Sequence, residues 1–173
     1  MQAENLSDLL QRGLEYAWDC EQHLLKDLPK MEHSAFSEDL KTVLLGMVHS
    51  AGGHTGRLND IFAKLDRSAD AEAHEPIRII TAESDKLARH IDRGPLLDAA
   101  LIMYGNQICH YKIALYGTLC AFARALDMHE IASLLDLNLG DEKDSDRELT
   151  HLAEKSINRQ AAHFQNTPGF IIM

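Results

Sequence analysis

The feature that most constrains the fold is a long apolar stretch, Pro95 to Leu126, which contains few charges and no second proline. Proline is tolerated in the first turn of a helix, where its missing N–H has no partner in any case. Apolar side chains then recur in alternating steps of four and three, which is the spacing of one helical face. They are Leu97, Leu101, Tyr104, Ile108, Tyr111, Leu115, Thr118 and Phe122.

A second apolar row widens this face beyond what a surface helix carries. Its members are Ala99, Ile102, Cys109, Ile113, Tyr116 and Cys120. At a rise of about 1.5 Å per residue the helix would be about 48 Å long. A helix of that length that is apolar on two faces must be surrounded by several others.

Three further segments have helical patterns. Together with the first, they predict helices over about residues 5–33, 38–64, 95–126 and 128–160. Pro29 lies inside the first segment and predicts a kink or a stop there. Gly52 and Gly53 lie inside the second and suggest that another chain segment approaches closely at that point.

The irregular segment 67–94 joins the second and third predicted helices and contains either one short helix or two with a break around residues 82–84. A connection of this length is typical of a helical bundle with one crossover. We therefore predict an all-α protein in which residues 1–165 form a single bundle domain. Residues 166–173 form an apolar tail, which we expect to pack on the body or on a second subunit.

Composition excludes several classes of partner. The formal net charge of −10 argues against nucleic acid, whose binding requires basic patches. No apolar run is long enough for a membrane span, and the acidic N-terminal segment is unlike a signal peptide. The three cysteines form no C-x-x-C pair and are typical of reduced thiols. These features favour a cytoplasmic protein.

Polar residues interrupt the apolar faces of the helices at one common depth. If neighbouring helices are antiparallel, counting along each of them places four positions level with one another, within about one turn. These positions are Glu21, then Ser50 or His54, then Cys109 or His110, and then Glu142 or Asp146.

Buried carboxylates are costly unless they are paired or bind a metal ion. Carboxylates and imidazoles from different helices are also the ligands with which helical bundles hold metals. The candidate metal ligands are Glu21, His54, His110, Glu142 and Asp146. The alternative for each is an ordinary hydrogen-bonded or solvated side chain, and Cys109 is favoured as a small buried hydrophobic residue.

Four blocks of the sequence resemble one known family. They are Asp19 to Met31, Asp98 to Ile102, His110 to Thr118, and Leu139 to Leu149. In order and spacing these blocks are similar to the YciF/YciE-like family of bacterial ferritin-like stress proteins. The resemblance implies a ferritin-like four-helix bundle with an extra helix in the crossover. It also implies a homodimer, an association with osmotic and other stress and, in some members, a two-metal site at mid-bundle to which Glu21 and Glu142 would contribute.

The sequence departs from the family pattern at two of the four helices. The family pattern His-Leu-Glu-Glu-Thr is replaced by the residues Met47 to Ala51, and Glu-His-Tyr-Glu is replaced by Cys109 to Lys112. Carboxylates are therefore missing, and Lys112 stands in place of one acid. Either the site has shifted toward nitrogen and sulfur ligands, which favours zinc or a single iron, or it binds metal weakly or not at all.

Three functions compete at this point. The favoured one is a metal-binding, stress-associated bundle that holds one or two iron ions, with zinc or another divalent metal as an alternative. The second is a metal-free structural or interaction dimer. The third is a ferroxidase or peroxide-consuming enzyme, which needs two ions about 3.5–4 Å apart. No catalytic residue and no small-molecule substrate is identified.

Overall fold

The computed structural model describes residues 4–69 and 73–164, and every regular element in those ranges is helical. The helices are α1 Leu6–Ser34, α2 Glu38–Lys64, α3 Glu75–Ala88, α4 Pro95–Ala125, α5 His129–Leu152, a π-helical segment Ala153–Ile157, and α6 Asn158–Phe164. The prediction of an all-α fold with one long crossover is confirmed. The predicted tail, residues 166–173, lies outside the described residues. No helix in the described part of the chain is both long enough and apolar enough to cross a membrane.

Local sequence signals set the first helix boundaries. Asn5 caps α1 by accepting a hydrogen bond from the N–H of Asp8 at 3.0 Å, and Ser37 caps α2 by accepting one from Leu40 at 3.4 Å. Of the two alternatives predicted at Pro29, a kink or a stop, the stop does not occur, because α1 continues to Ser34. The proline costs one hydrogen bond of the helix, whereas the buried Leu28 and Met31 on either side keep this turn packed on the core.

The four long helices enclose two apolar clusters, with α4 packed mainly on α5 and α1 mainly on α2. One cluster contains the C-terminal half of α1 and the N-terminal halves of α2 and α4, and it includes Leu28, Leu44 and Leu101. The other lies toward the opposite end of the bundle and includes Leu14 and Leu58. A layer of buried charged side chains separates the two clusters.

The buried face of α4 differs from the predicted stripe in its second half. Tyr111, Leu115 and Phe122 are only partly buried and Thr118 is exposed, whereas Lys112 is buried. The stripe was predicted from apolar residues alone, so the predicted buried face did not include Lys112. The structure turns α4 toward Lys112 because two carboxylates of other helices pair with its ammonium group.

The close approach predicted at Gly52 and Gly53 is absent. A Cβ atom added at Gly52 would meet nothing within 4 Å, and one at Gly53 would meet only Arg57 Nη2, at 3.7 Å. The tight contact lies elsewhere, at Gly13, where an added Cβ would lie 2.4 Å from Leu119 Cδ2 in the core. Gly13, on the inner side of α1, is therefore the glycine that lets α1 and α4 pack closely.

Gly52 and Gly13 should respond in opposite ways to substitution by alanine. Gly52→Ala should raise the free energy of unfolding by up to about 1 kcal/mol, because alanine is the better helix former and the site is open. Gly13→Ala gains the same propensity but overpacks the buried Leu119, which costs about 1–3 kcal/mol. Urea unfolding should therefore give a higher free energy of unfolding for Gly52→Ala than for Gly13→Ala. Equal free energies would contradict the close packing described at Gly13.

The crossover contains one continuous helix, α3, which is the first of the two predicted alternatives, and there is no break around residues 82–84. Polar contacts attach α3 to α1. Asp19 accepts hydrogen bonds from the His74 N–H at 2.9 Å and from Arg78 Nη2 at 2.6 Å. His23 Nε2 lies 2.8 Å from Thr81 Oγ1 and 2.9 Å from Asp27 Oδ2. Asp19 and His23, one turn apart on α1, thus join the first half of α3 to α1.

The attachment of α3 should weaken in acid. Burial lowers the pKa values of His23 and His74 below the usual histidine value, although neighbouring carboxylates oppose this. A lowered folded-state pKa means that the stabilisation is complete above about pH 6.5 and is lost as the pH falls through the folded pKa. The hydrogen-exchange protection of α3, taken as the observed rate relative to the intrinsic rate at each pH, should fall between pH 7 and pH 5. His23→Gln, which keeps a hydrogen-bonding group but does not titrate, should reduce this pH dependence, and an unchanged profile would contradict the assignment.

Candidate functional site

Three of the five predicted metal-ligand candidates meet in the charged layer between the apolar clusters. Glu21 comes from α1, His54 from α2 and Glu142 from α5. Glu21 and His54 are 0% exposed and Glu142 is 2% exposed. Of the alternatives that helix counting left open, His54 rather than Ser50 and Glu142 rather than Asp146 lie in the layer.

The fourth helix contributes a cation to this layer. Lys112 of α4 is 2% exposed, and its Nζ lies 2.6 Å from Glu142 Oε1 and 3.0 Å from Glu21 Oε2. The same atom lies 3.4 Å from His54 Nδ1. The ammonium group therefore stands at the centre of the three predicted ligands.

Further hydrogen bonds orient the Glu21 carboxylate and the His54 imidazole around this centre. Tyr116, one turn after Lys112, donates its hydroxyl hydrogen to Glu21 Oε1 at 2.6 Å. His54 Nδ1 lies 3.0 Å from the same oxygen, and its Nε2 lies 3.2 Å from Asp141 Oδ2. Both ring nitrogens of His54 are thus directed at separate carboxylates. We call Glu21, His54, Lys112, Tyr116 and Glu142 the buried charge cluster.

At Asp141 the buried charge cluster meets the surface. Asp141 is 38% exposed and pairs with Arg57, whose Nη1 lies 2.8 Å from Asp141 Oδ2 and 2.6 Å from Asn138 Oδ1. A cleft of about 210 Å³ between α2 and α5 is lined in part by Asp141 and Ser50. His54 therefore links the buried carboxylates to a solvent-facing ion pair.

The acid–base properties follow from burial and from the shared lysine. Burial alone would raise the pKa of Glu21, but the charge of Lys112 and the hydrogen bonds from His54 and Tyr116 hold it below its usual value. Burial opposes the charge of Lys112 as well, but the two carboxylates raise its pKa above the usual range. Burial and the charge of Glu21 raise the pKa of Glu142 despite the ion pair with Lys112. Lys112 is therefore held as an ammonium cation.

The buried thiols next to the cluster are unsuited to act as ligands. Burial raises the pKa of Cys20 and of Cys109, and the charge of Glu142 raises both further. Because the thiolate is the form that binds metals and attacks electrophiles, both residues behave as small apolar side chains. This agrees with the interpretation favoured for Cys109.

The other two candidates lie outside the buried charge cluster. His110 is exposed, with 69% of its side chain accessible, and its Nε2 lies 3.3 Å from Asp146 Oδ1. The two residues form a pair at the outer side of the α4–α5 interface. Helix counting was accurate to about one turn, and a residue next to the inward position on a helix points about 100° away from it. The expectation that His110 and Asp146 join the central layer is therefore wrong.

Comparison with known proteins assigns the family. Residues 5–162 match the family described as a domain of unknown function, DUF892. The chain belongs to this family. It is 25% identical to protein YciF of Escherichia coli strain K12 over 169 residues, which cover 93% of this chain and 98% of YciF. The predicted relationship to YciF-like proteins is confirmed.

Two solved structures share the fold of this DUF892 member. YcfI of Rhodopseudomonas palustris, provisionally described as a structural protein, is 33% identical with a TM-score of 0.82, covering 85% of this chain and 94% of its own. The crystal structure of the E. coli stress protein YciF is 24% identical with a TM-score of 0.86, covering 91% of this chain and 99% of its own. The ferritin-like bundle predicted from the sequence is confirmed.

The residues of this DUF892 member do not fit a pair of metal ions. A carboxylate-bridged pair needs acidic ligands from all four helices, and α4 supplies an ammonium group. In the ranges 4–69 and 73–164, no three His, Cys, Asp or Glu side chains are arranged to hold a metal ion. The set that comes nearest to such an arrangement is Glu21, His54 and Glu142. Their polar atoms face Lys112 and their own hydrogen-bond partners.

Sequence reasoning missed the role of Lys112, although a signal was present. Lys112 is the only charged residue between Asp98 and Arg124. It lies three residues after Cys109 and four before Tyr116, both in the second apolar row, so a helix places all three on one face. A lone lysine on an apolar face opposite buried acids predicts an ion pair, and that combination could have been found.

Proposed function

We propose that this protein is a metal-independent, stress-associated structural bundle that acts through its surface. One observation carries the proposal: the Lys112 ammonium group lies between Glu21 and Glu142, where a metal ion would have to bind. The stress and structural descriptions of YciF and YcfI support the broader role. A cytoplasmic homodimer remains part of the proposal.

The electrostatics of the cluster oppose a divalent cation. At an effective dielectric constant of 20, two unit charges 4 Å apart interact by about 4 kcal/mol, so an ammonium group and a divalent ion repel by about 8 kcal/mol. A penalty of that size lowers affinity by about a millionfold. Because Glu21 and Glu142 together raise the pKa of Lys112, loss of its proton offers no easy way around this penalty.

Metal content tests the proposal directly. Protein purified without added metal, and protein incubated with Fe²⁺ under anaerobic conditions and then desalted, should both contain iron and zinc only at background. The unfolding temperature should be the same in chelator and in Fe²⁺, because ions that bind the native state raise it. Stoichiometric metal that is retained through desalting and lost with Glu21→Gln would contradict the proposal. Sedimentation of the full chain tests the dimer separately.

A single metal ion, iron or zinc, is the second candidate. It is favoured by two buried oxygens, Glu21 Oε2 and Glu142 Oε2, which accept no hydrogen bond of good geometry. Such an ion would take Glu21, His54 and Glu142 as ligands, and the Lys112 side chain would have to move away. Ferroxidase or peroxide-consuming chemistry has less support, because it needs two ions and open coordination positions.

A further inference from the structure

The centre of the buried charge cluster has the properties of a cation site rather than of an ordinary ion pair. Two carboxylates from α1 and α5 face the same point, and each has an oxygen with no properly aligned hydrogen-bond donor. The occupant, Lys112 Nζ, lies within 3.4 Å of Glu21, Glu142 and His54. An ordinary exposed ion pair joins only two charged groups. Here three helices supply oxygen and nitrogen atoms around one positively charged atom.

We propose that this point is a latent divalent-metal site that the chain fills with its own ammonium group, and that removing the positive end of Lys112 opens it to a metal ion. The inference rests on the proposed metal-independent function. It goes further because it assigns Lys112 as the element that excludes the ion and assigns Glu21, His54 and Glu142 as the ligands of the opened site.

The geometry allows a metal ion to replace the ammonium group. A glutamate side chain ends one bond earlier than a lysine, so a carboxylate introduced at position 112 would stop short of the position of Nζ and leave it open to an ion. Metal–oxygen and metal–nitrogen bonds to divalent ions are about 2.0–2.2 Å long, and the donor atoms now lie 2.6–3.4 Å from Nζ. Small inward movements of the side chains would complete the contact. Oxygen and imidazole ligands suit Co²⁺, Zn²⁺, Mn²⁺ and Fe²⁺.

An entry path also exists. The cleft between α2 and α5 ends at Asp141, which is 38% exposed and lies 3.2 Å from His54 Nε2. An ion attracted to the carboxylate of Asp141 would have to displace the guanidinium of Arg57, which lies 2.8 Å from Asp141 Oδ2, and would then meet the imidazole of His54. Rotation of that ring would connect the surface to the buried site, which is a requirement for any exchangeable metal.

The test uses the full chain and Co²⁺, whose visible absorption reports its ligands. Wild type, Lys112→Glu, Lys112→Ala and the surface control Lys86→Glu are titrated with Co²⁺ and then examined by elemental analysis after desalting. Lys86 is exposed and pairs only with Glu83. We expect about one Co²⁺ per chain in Lys112→Glu, displaced by Zn²⁺ and lost with the added change Glu21→Gln. Wild type and Lys86→Glu should bind none above background.

The alanine variant provides a second readout. Truncation at Cβ removes the atoms of a propylammonium ion, so propylammonium should raise the unfolding temperature of Lys112→Ala and leave wild type and Lys86→Glu unchanged. Co²⁺ should also raise it for Lys112→Ala. Each result would support a cation site at this point.

The outcomes separate this inference from the proposed function. Metal-free wild type with helical Lys112 variants that bind neither Co²⁺ nor propylammonium would overturn the latent site and leave the metal-independent function intact. Stoichiometric Co²⁺ in wild type, with Lys112 present, would overturn both. Lys112 variants that stay unfolded with each cation present would also count against the site, because an occupied site should stabilise the native state.

Discussion

Lys112→Met, measured in the presence of a chelator, should unfold about 10 °C below the wild-type protein. Removing one partner of a buried ion pair typically costs about 3–5 kcal/mol, because the remaining charge is left uncompensated. Here two carboxylates, Glu21 and Glu142, would lose their common cation. In a domain of this size each kcal/mol shifts the unfolding temperature by about 2–4 °C. Methionine fills a similar volume, so the loss measures charge rather than a cavity.

The matched control removes the charges together. Glu21→Gln and Glu142→Gln combined with Lys112→Met should recover most of the lost stability, since replacing a whole buried ionic group is often neutral. The strongly non-additive result of such a cycle is the signature of coupling among the three residues. If Lys112→Met alone unfolds within about 2 °C of wild type, the ammonium group does not compensate the carboxylates as described.

Most of the fold could be predicted because helix periodicity is a local property of the sequence. The predicted ranges 38–64 and 95–126 agree with α2 and α4 to within one residue. What the sequence missed or left open has one physical cause. The close approach expected at Gly52 and the alternatives left open at Pro29 and around residues 82–84 were all inferred from local propensity, whereas packing against other helices decides them.

The candidate site could be predicted only in part, because the depth of a residue in a bundle is easier to derive than its direction. Counting along the helices brought Glu21, His54 and Glu142 to one layer, and the structure places them within hydrogen-bonding distance of Lys112 or of one another. His110 was misplaced because one residue along a helix rotates the side chain by about 100°. Lys112 was recognised only as the replacement of one family carboxylate, and its pairing with the buried acids was not predicted.

Asp98 is a further buried acid on which the bundle depends, and no functional pattern in the sequence singled it out. It lies in the first turn of α4, is 1% exposed, and accepts hydrogen bonds from the N–H groups of Phe36 at 2.7 Å and Ser37 at 2.9 Å. Arg93 holds the same turn by donating two hydrogen bonds to the carbonyl of Ala35. The start of α4 thus fixes the turn between α1 and α2.

Asp98→Ala should therefore lower the free energy of unfolding by about 3–5 kcal/mol. It removes two partly buried hydrogen bonds to a charged acceptor, each worth about 1.5–3 kcal/mol, and it removes a negative charge from the positive end of α4. Asp98→Asn keeps one acceptor oxygen and should lose about half as much. Urea unfolding gives the totals, and hydrogen exchange at Phe36 and Ser37 should rise far more than exchange at the centre of α2. Uniform acceleration across α2, or equal losses for the two variants, would show that the carboxylate does not fix the turn.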